Sequence, residues 1–183
     1  MTRALIGLGS NLGEPQQQLI DALHALDRLP ALTLRHHSRL FSSAPIGPQD
    51  QPDFVNAAAA VDTTLAPLEL LHTLQALELA AGRQRRRHWG ERTLDLDILL
   101  LGDHTIASEE LTVPHPQLTQ RAFVLLPLLD IAPGGVLPDG TALDTLIAQV
   151  TDQQVTALST LEIDALIRQS QNGAGQARTP RLL

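Results

Sequence analysis

The order of apolar patterns along the chain restricts its fold more than any other feature. Four strand-like apolar runs span residues 4–8, 32–43, 54–63 and 94–101. Two stretches with apolar residues at helical spacing span residues 15–29 and 67–81. The order is therefore strand, helix, two strands, helix, strand. This pattern predicts an α+β fold, a ferredoxin-like α/β sandwich with a mixed or antiparallel central sheet and helices packed on it.

The second helix and the segment that follows the fourth strand extend this prediction. An extended piece is expected at 111–114, a helical stretch over 117–130 that breaks at Pro127, and a last core helix at 143–150. The apolar stripe predicted for the second helix consists of Leu70, Leu71, Leu74, Leu77 and Leu79.

The C-terminal part of the chain has a different composition. Residues 151–168 show the pattern of a polar amphipathic helix, and the glycine- and proline-containing residues 169–183 are typical of a mobile tail. We therefore expect one domain over residues 1–150 and an extension over residues 151–183 whose removal leaves activity intact.

Composition excludes several classes of protein. The 183 residues include no cysteine, which excludes disulfides, thiolate metal sites and thiol nucleophiles. A net charge of −7 and an aromatic content of 2% argue against nucleic-acid binding. The apolar runs are too short to span a membrane, and no secretory signal pattern is present. The sequence thus predicts a soluble cytoplasmic protein, and we expect a monomer.

The basic residues are unevenly distributed. All 13 are arginine, and five of them lie within residues 83–92. Arginine forms forked hydrogen bonds with phosphate oxygens, so this cluster suits a local anion site. A solvated basic loop has the same pattern, and the cluster alone does not decide between the two.

The arginine cluster leads directly into a strand with paired acidic residues. On that strand Leu94, Leu96 and Ile98 face one side, whereas Asp95 and Asp97 face the other, with Cβ atoms roughly 6.5–7 Å apart. Two such carboxylates suit a hard cation, Mg²⁺ before Zn²⁺, although a solvated strand surface would look the same. Arginines beside aspartates indicate a phosphoryl-transfer site. The chain has no lysine for a P-loop and no Gly-x-Gly-x-x-Gly motif.

Three further features lie close to these groups in sequence. Gln75 and Glu78 are three residues apart near the end of the second helix, which directs them toward the arginine loop. Trp89, the only tryptophan, lies inside that polar loop, where contact with a bound ligand would account for so large an apolar side chain. His115 suits a phosphate or hydroxyl contact, with a surface role as the alternative.

Four segments together resemble the 6-hydroxymethyl-7,8-dihydropterin pyrophosphokinase family. They occur in the family's order and span about residues 1–150. The segments are Gly9-Ser10-Asn11-Leu12, Gly47-Pro48-Gln49-Asp50-Gln51-Pro52-Asp53-Phe54-Val55-Asn56, Trp89-Gly90-Glu91-Arg92-Thr93-Leu94-Asp95-Leu96-Asp97-Ile98, and Leu111-Thr112-Val113-Pro114-His115 followed by Arg121 and Phe123.

The resemblance implies a reaction and a set of roles. ATP and two Mg²⁺ ions would take part, the hydroxymethyl oxygen of the pterin would attack the β-phosphorus, and AMP would leave. Asp95 and Asp97 would hold both metals and, with Arg83 and Arg92, form the catalytic group. The implied ATP site consists of Gln75, Glu78, Arg85, Trp89, Arg92, Ile98, Leu111, Thr112, His115 and Arg121. The implied pterin site consists of Ser43, Ala44, Ile46, Gly47, Phe54, Asn56, Trp89, Asp95 and Phe123.

The sequence departs from the family pattern at several positions, and two other functions remain as alternatives. Phe54 stands where a tyrosine is common, Ala44 replaces a frequent proline, and Glu110 stands where an arginine is common. A different Mg²⁺-dependent nucleotidyl or phosphoryl transferase would share the metal face without needing a pterin. A non-enzymatic ferredoxin-like binding module would leave Asp95 and Asp97 as solvated charges.

Overall fold

The computed structural model describes residues 1–82 and 93–158. The strands are β1 (Thr2–Ser10), β2 (Leu32–His37), β3 (Phe41–Ser43), β4 (Phe54–Thr63), β5 (Asp95–Leu101), β6 (Ile106–Ala107), β7 (Thr112–Val113) and β8 (Val155–Ala157). The α-helices are α1 (Pro15–Arg28), α2 (Pro67–Ala80), α3 (Ala122–Ile131) and α4 (Leu143–Ala148), and a 3₁₀ turn spans Leu118–Gln120.

The main sheet has the strand order β5-β1-β4-β3-β8, and β2 also pairs with β4. Every pairing described within it is antiparallel. Helix α1 connects β1 to β2, and α2 connects β4 to β5, so each helix joins two strands that run parallel with one strand between them. The predicted ferredoxin-like α/β sandwich is therefore confirmed.

Helices α1 and α2 cover one face of the sheet. Ala4, Ile6 and Leu8 alternate along β1 and share a buried cluster with Leu19 of α1 and Leu70 of α2. Burying each large aliphatic side chain contributes about 1.5–3 kcal/mol. This cluster holds the two helices against the sheet.

Helices α3 and α4 pack on the other face, where Leu99 and Leu100 belong to a second buried cluster. The register between β1 and β5 shifts at this point, because Leu5 pairs with Leu100 whereas Ile6 pairs with Ile98. The extra residue is a β-bulge. Before the bulge, strict alternation places the odd-numbered residues of β5 on the face covered by α3.

Several local predictions are wrong. The strand expected over 32–43 is two strands, because Ser38 between them hydrogen-bonds through its backbone N–H and its Oγ to Ala58. Pro127 lies inside α3 and is not a break. The helical stretch is instead interrupted at Arg121, which is extended with φ −124° and ψ 111° between the 3₁₀ turn and α3.

The apolar stripe of α2 also differs from its prediction, since Leu79 is 71% exposed. The buried residues of this helix are Leu70, Leu74 and Glu78, spaced four apart. A four-residue step keeps side chains on one helix face, whereas Leu79 is rotated away from it. A glutamate therefore takes the third buried position.

The helix predicted over 151–168 is not formed in its first part. Residues 151–153 are a turn, and Val155–Ala157 form β8 against β3. The β-branched side chains of Val155 and Thr156 suit this extended backbone. The rest of that predicted helix and the predicted tail lie outside the described residues.

Candidate active site

The acidic residues of β5 face a cavity on the α3 side of the sheet. Asp95 and Asp97 both line it, as the alternation predicts. Asp95 pairs in register with Gly9 of β1, and Asp97 pairs with Gly7. The cavity has a volume of about 110 Å³. The two carboxylates therefore project from one strand beside a surface of β1 that carries no side chains.

The two glycines of β1 keep this surface open. A Cβ atom added to Gly9 would lie 2.9 Å from Nδ2 of Asn56, and one added to Gly7 would lie 3.2 Å from Cδ1 of Leu99. Both residues line the cavity, and sequence reasoning did not identify either as a site residue. The spacing Gly7-Leu8-Gly9 was the available signal, since two glycines two apart on a strand clear one face.

Asn56 lines the cavity, and two neighbouring strands hydrogen-bond its side-chain amide. Its Oδ1 lies 3.5 Å from Oγ of Ser43, which donates to it, and its Nδ2 donates to the carbonyl of Leu8 at 3.5 Å. The residue is buried. Because the amide is contacted from β3 on one side and β1 on the other, it presents one fixed donor and acceptor edge.

Two aromatic residues complete the apolar part of the cavity. Phe54 is the first residue of β4, and Phe123 lies in the first turn of α3. The guanidinium of Arg121 lies 5.5 Å from the centre of the Phe123 ring. The remaining predicted pterin residues that line the cavity are Ser43, Ala44 and Ile46.

His115 lies beside the carboxylates. Its Nε2 is 3.9 Å from Oδ2 of Asp97, and its Nδ1 accepts a hydrogen bond from the backbone N–H of Gln117 at 3.2 Å. Burial lowers the pKa of His115 below its ordinary value, the positive charge of Arg121 lowers it further, and Asp95 opposes this shift. Because Nδ1 of the neutral ring accepts the hydrogen bond from Gln117, the ring proton is on Nε2, which faces Asp97.

The donor set suits a hard divalent cation that keeps other ligands. Within residues 1–82 and 93–158, no three acidic, histidine or cysteine side chains are grouped closely enough to form a metal cage. Asp97 is 42% exposed, so solvent and a second molecule can reach its carboxylate. Mg²⁺ is usually bound in this way, by one or two carboxylates with water and substrate phosphate.

Five predicted ATP residues lie outside the cavity lining. On α2, the side chain of Glu78 is buried, whereas that of Gln75 is exposed to solvent. Ile98 and Leu111 are buried in the cluster on the opposite face of the sheet, and Thr112 is exposed on β7. The structure thus brings the carboxylates, His115 and Arg121 together with most of the predicted pterin residues, but it does not bring these five ATP residues to the same cavity.

The remaining predicted site residues fall elsewhere. Gly47 is in the loop between β3 and β4, with φ of 97°, and does not line the cavity. Lining residues that the sequence analysis missed, besides the two glycines, are Leu8, Ala57, Leu99 and Val124. The predicted residues outside the described part of the chain are Arg83, Arg85, Trp89 and Arg92.

Comparisons with known proteins first define the class. The sequence model of the family described as 7,8-dihydro-6-hydroxymethylpterin-pyrophosphokinase (HPPK) matches residues 5–133. The 2-amino-4-hydroxy-6-hydroxymethyldihydropteridine pyrophosphokinase of Pseudomonas aeruginosa is 54% identical over 146 residues, covering 80% of this chain and 90% of the relative. The enzyme of the same name from Haemophilus influenzae is 48% identical over 159 residues, covering 87% and 99%. The chain is therefore an enzyme of the diphosphokinase class.

The match also defines the family. More than half of the chain fits one family model, and both relatives are covered almost completely, so the chain belongs to the 7,8-dihydro-6-hydroxymethylpterin-pyrophosphokinase family. The wild-type HPPK-DHPS crystal structure from Plasmodium falciparum, with SDX-DHP, has the same fold, with a TM-score of 0.64 at 17% identity. That match covers 81% of this chain and 43% of the solved one. Within the described residues, no helix is long and apolar enough to cross a membrane.

Proposed function

We propose that this protein transfers the pyrophosphoryl group of ATP to 6-hydroxymethyl-7,8-dihydropterin, giving the pterin pyrophosphate and AMP, as a step of folate biosynthesis. The O–H bond of the hydroxymethyl group breaks, its proton passes to solvent, and the oxygen forms a bond to the β-phosphorus. The bond from that phosphorus to the oxygen bridging the α- and β-phosphates breaks, and AMP leaves with that oxygen. One observation carries the proposal: an aromatic-walled cavity ends at two carboxylates, Asp95 and Asp97, on a single strand.

The apolar end of the cavity is suited to the pterin ring. Phe54 and Phe123 would stack on its two faces, and stacked aromatic pairs contribute about 0.5–1.5 kcal/mol beyond area burial. The amide of Asn56 offers a donor and an acceptor to the polar edge of the ring. The other pterin contacts in this proposal are Ser43, Ala44, Ile46, Gly47, Trp89 and Asp95.

The acidic end of the cavity is suited to the phosphates. Asp95 and Asp97 would hold two Mg²⁺ ions, which when bound neutralise charge on the phosphate oxygens. The carboxylate of Asp95 would also accept a hydrogen bond from the pterin hydroxymethyl group. The neutral His115 would donate a hydrogen bond from Nε2 to a phosphate oxygen, and the guanidinium of Arg121 would pair with another phosphate oxygen.

The nucleotide contacts extend beyond the cavity. Arg83 and Arg92 would stabilise charge on the transferred group. The other residues proposed to contact ATP are Gln75, Glu78, Arg85, Trp89, Ile98, Leu111 and Thr112. We further propose that the enzyme acts as a cytoplasmic monomer that needs no nucleic acid, and that the residues contacting its substrates all lie within residues 1–150.

A product assay tests the proposed reaction. The purified protein is incubated with ATP, Mg²⁺ and 6-hydroxymethyl-7,8-dihydropterin, and the nucleotides are separated. We expect AMP and no ADP, only when the pterin is present, and no AMP when EDTA replaces Mg²⁺. Pterin-dependent ADP would show transfer of the γ-phosphoryl group instead, and absence of any nucleotide turnover would contradict the proposal.

A further inference from the structure

The side chain of Gln153 bridges two peptide groups at the start of α3. Its Oε1 accepts a hydrogen bond from the backbone N–H of Ala122 at 2.9 Å, and its Nε2 donates to the carbonyl of Gln120 at 2.8 Å. These two groups flank Arg121, the N-cap residue of α3, whose side chain does not cap the helix. Gln153 thus satisfies one of the amide groups that a helix start leaves without a helical partner.

The residues that follow Gln153 bind β3, whose last residue lines the cavity. Val155 pairs with Ser43 and Ala157 with Phe41 in the β8–β3 ladder, and the N–H of Leu158 donates to the carbonyl of Leu40 at 2.8 Å. Ser43 ends β3 and lines the cavity. We use the term C-terminal strap for residues Gln153–Leu158.

The C-terminal strap therefore joins two cavity walls that are distant in sequence. One wall carries Ser43, at the end of β3, and the other carries Arg121 and Phe123, at the start of α3. Only one residue, Gln154, separates Gln153, whose side chain contacts α3, from Val155, which pairs with β3. A segment this short restricts how far the two walls can move relative to each other.

We infer that Gln153 is a positioning residue for pterin binding, acting through the first turn of α3 and the ring of Phe123. This inference rests on the proposed function. A stacked ring needs its partner at a defined separation, and losing such a stack costs about 2- to 13-fold in affinity. A residue beyond 150 then affects pterin binding, contrary to the expectation from the sequence that removal of residues 151–183 leaves activity intact.

The test compares Gln153→Ala with Gln154→Ala in the full chain. Gln154 is the same residue type, is adjacent and is exposed, so its substitution controls for composition and for general effects on the segment. For Gln153→Ala we expect about a tenfold rise in the Kd and KM for the pterin, with kcat and the KM for ATP within about twofold. Gln154→Ala should match the wild type.

A conservative variant separates positioning from stability. Gln153→Glu keeps an acceptor for the Ala122 N–H but sets a carboxylate oxygen against the Gln120 carbonyl, so we expect the pterin Kd to rise above the wild-type value, as it does in Gln153→Ala. A purely structural role would lower Tm and leave the pterin Kd unchanged at a temperature where circular dichroism shows every variant folded. That result would overturn the inference.

The design distinguishes this inference from the proposed function. If the wild-type protein does not bind the pterin, the proposed function fails. Amide hydrogen exchange of the unliganded protein then decides whether Gln153 positions the start of α3. Faster exchange at Ala122 in Gln153→Ala than in Gln154→Ala would support positioning of the helix start by Gln153. Equal exchange in the two variants would overturn it.

Discussion

The carboxylate of Glu78 accepts a 2.8 Å hydrogen bond from the backbone N–H of Leu96. Leu96 lies between Asp95 and Asp97 on β5, which ends the strand order of the described sheet. A strand at that position has backbone groups that no further strand can satisfy. Glu78, buried on α2, satisfies one of them, so the backbone that carries the acidic pair is attached to a helix on the opposite face.

Replacing Glu78 therefore tests the anchoring of β5. We expect Glu78→Ala to lower the free energy of unfolding by about 1–3 kcal/mol, because a buried N–H loses its acceptor. Glu78→Gln keeps a side-chain oxygen and should lose less. Urea denaturation measures both, with the exposed Gln75→Ala as the stability control from the same helix. Equal stability of wild type and Glu78→Ala would contradict the anchoring role.

The ion pairs of Asp62 predict an acid-sensitive part of the stability. Arg3 and Arg35 both hydrogen-bond its carboxylate and lower its pKa from 3.8 to about 2. An acid with a lowered folded-state pKa stabilises the fold above its unfolded value and loses that contribution as pH falls toward about 2.

The matching experiment uses Asp62→Asn. We expect this variant to be less stable than wild type near neutral pH, with the difference disappearing as the pH falls from about 4 to about 2. Chemical denaturation at a series of pH values measures it, with the exposed Asp144→Asn as a control. A stability difference that is constant across this pH range would rule out the ion pairs as its cause.

The fold was predictable because its local patterns agree with its tertiary contacts. The alternation on β5 placed Asp95 and Asp97 together, and β4 was predicted at its observed bounds, Phe54–Thr63. The misplaced break at Pro127 shows the limit of such rules. Leu125 and Leu128 are fully buried on either side of Pro127, and this packing maintains a helix that lacks one backbone N–H.

The site was less predictable because several of its features depend on partners far away in sequence. Glu78 looks like an exposed helix residue until Leu96 is placed beside it, and Gln153 looks like part of a polar helix until Ala122 is known to contact it. Hydrogen bonds between residues 18 and 31 positions apart leave no periodic pattern. The resemblance to a family identified Asn56 and Phe123, but not these supporting contacts.

Gly9 and Asn56 are expected to be energetically coupled. A methyl group on Gly9 would lie 2.9 Å from Nδ2 of Asn56, so Gly9→Ala should displace that amide and raise the KM for the pterin. In an Asn56→Ala background the obstruction is absent, and the added methyl should cost less. A double-mutant cycle on unfolding free energy should therefore show a coupling of about 0.5–3 kcal/mol. Additive effects would contradict direct contact.

Asp97 is the carboxylate that best separates folding from chemistry, because its side chain is 42% exposed. We expect Asp97→Asn to retain the wild-type Tm within a few degrees while pterin-dependent AMP formation falls at least about 100-fold. Even the loss of a residue that only hydrogen-bonds a metal ligand lowers metal affinity or activity by about 10–100-fold. Asp53→Asn, an exposed acid outside the cavity lining, is the control. Near-normal turnover in Asp97→Asn would rule out its proposed metal role.

Phe123 tests whether the aromatic wall recognises a flat ring. Phe123→Leu keeps an apolar side chain on α3 but removes the stacking surface, which contributes about 0.5–1.5 kcal/mol beyond burial. We therefore expect the Kd for the pterin to rise by about 2- to 13-fold, with the KM for ATP unchanged. Calorimetric titration with the pterin measures this, and Val136→Ala, an exposed site away from the cavity, is the control. Equal pterin affinity in Phe123→Leu and wild type would show that the ring does not stack on this wall.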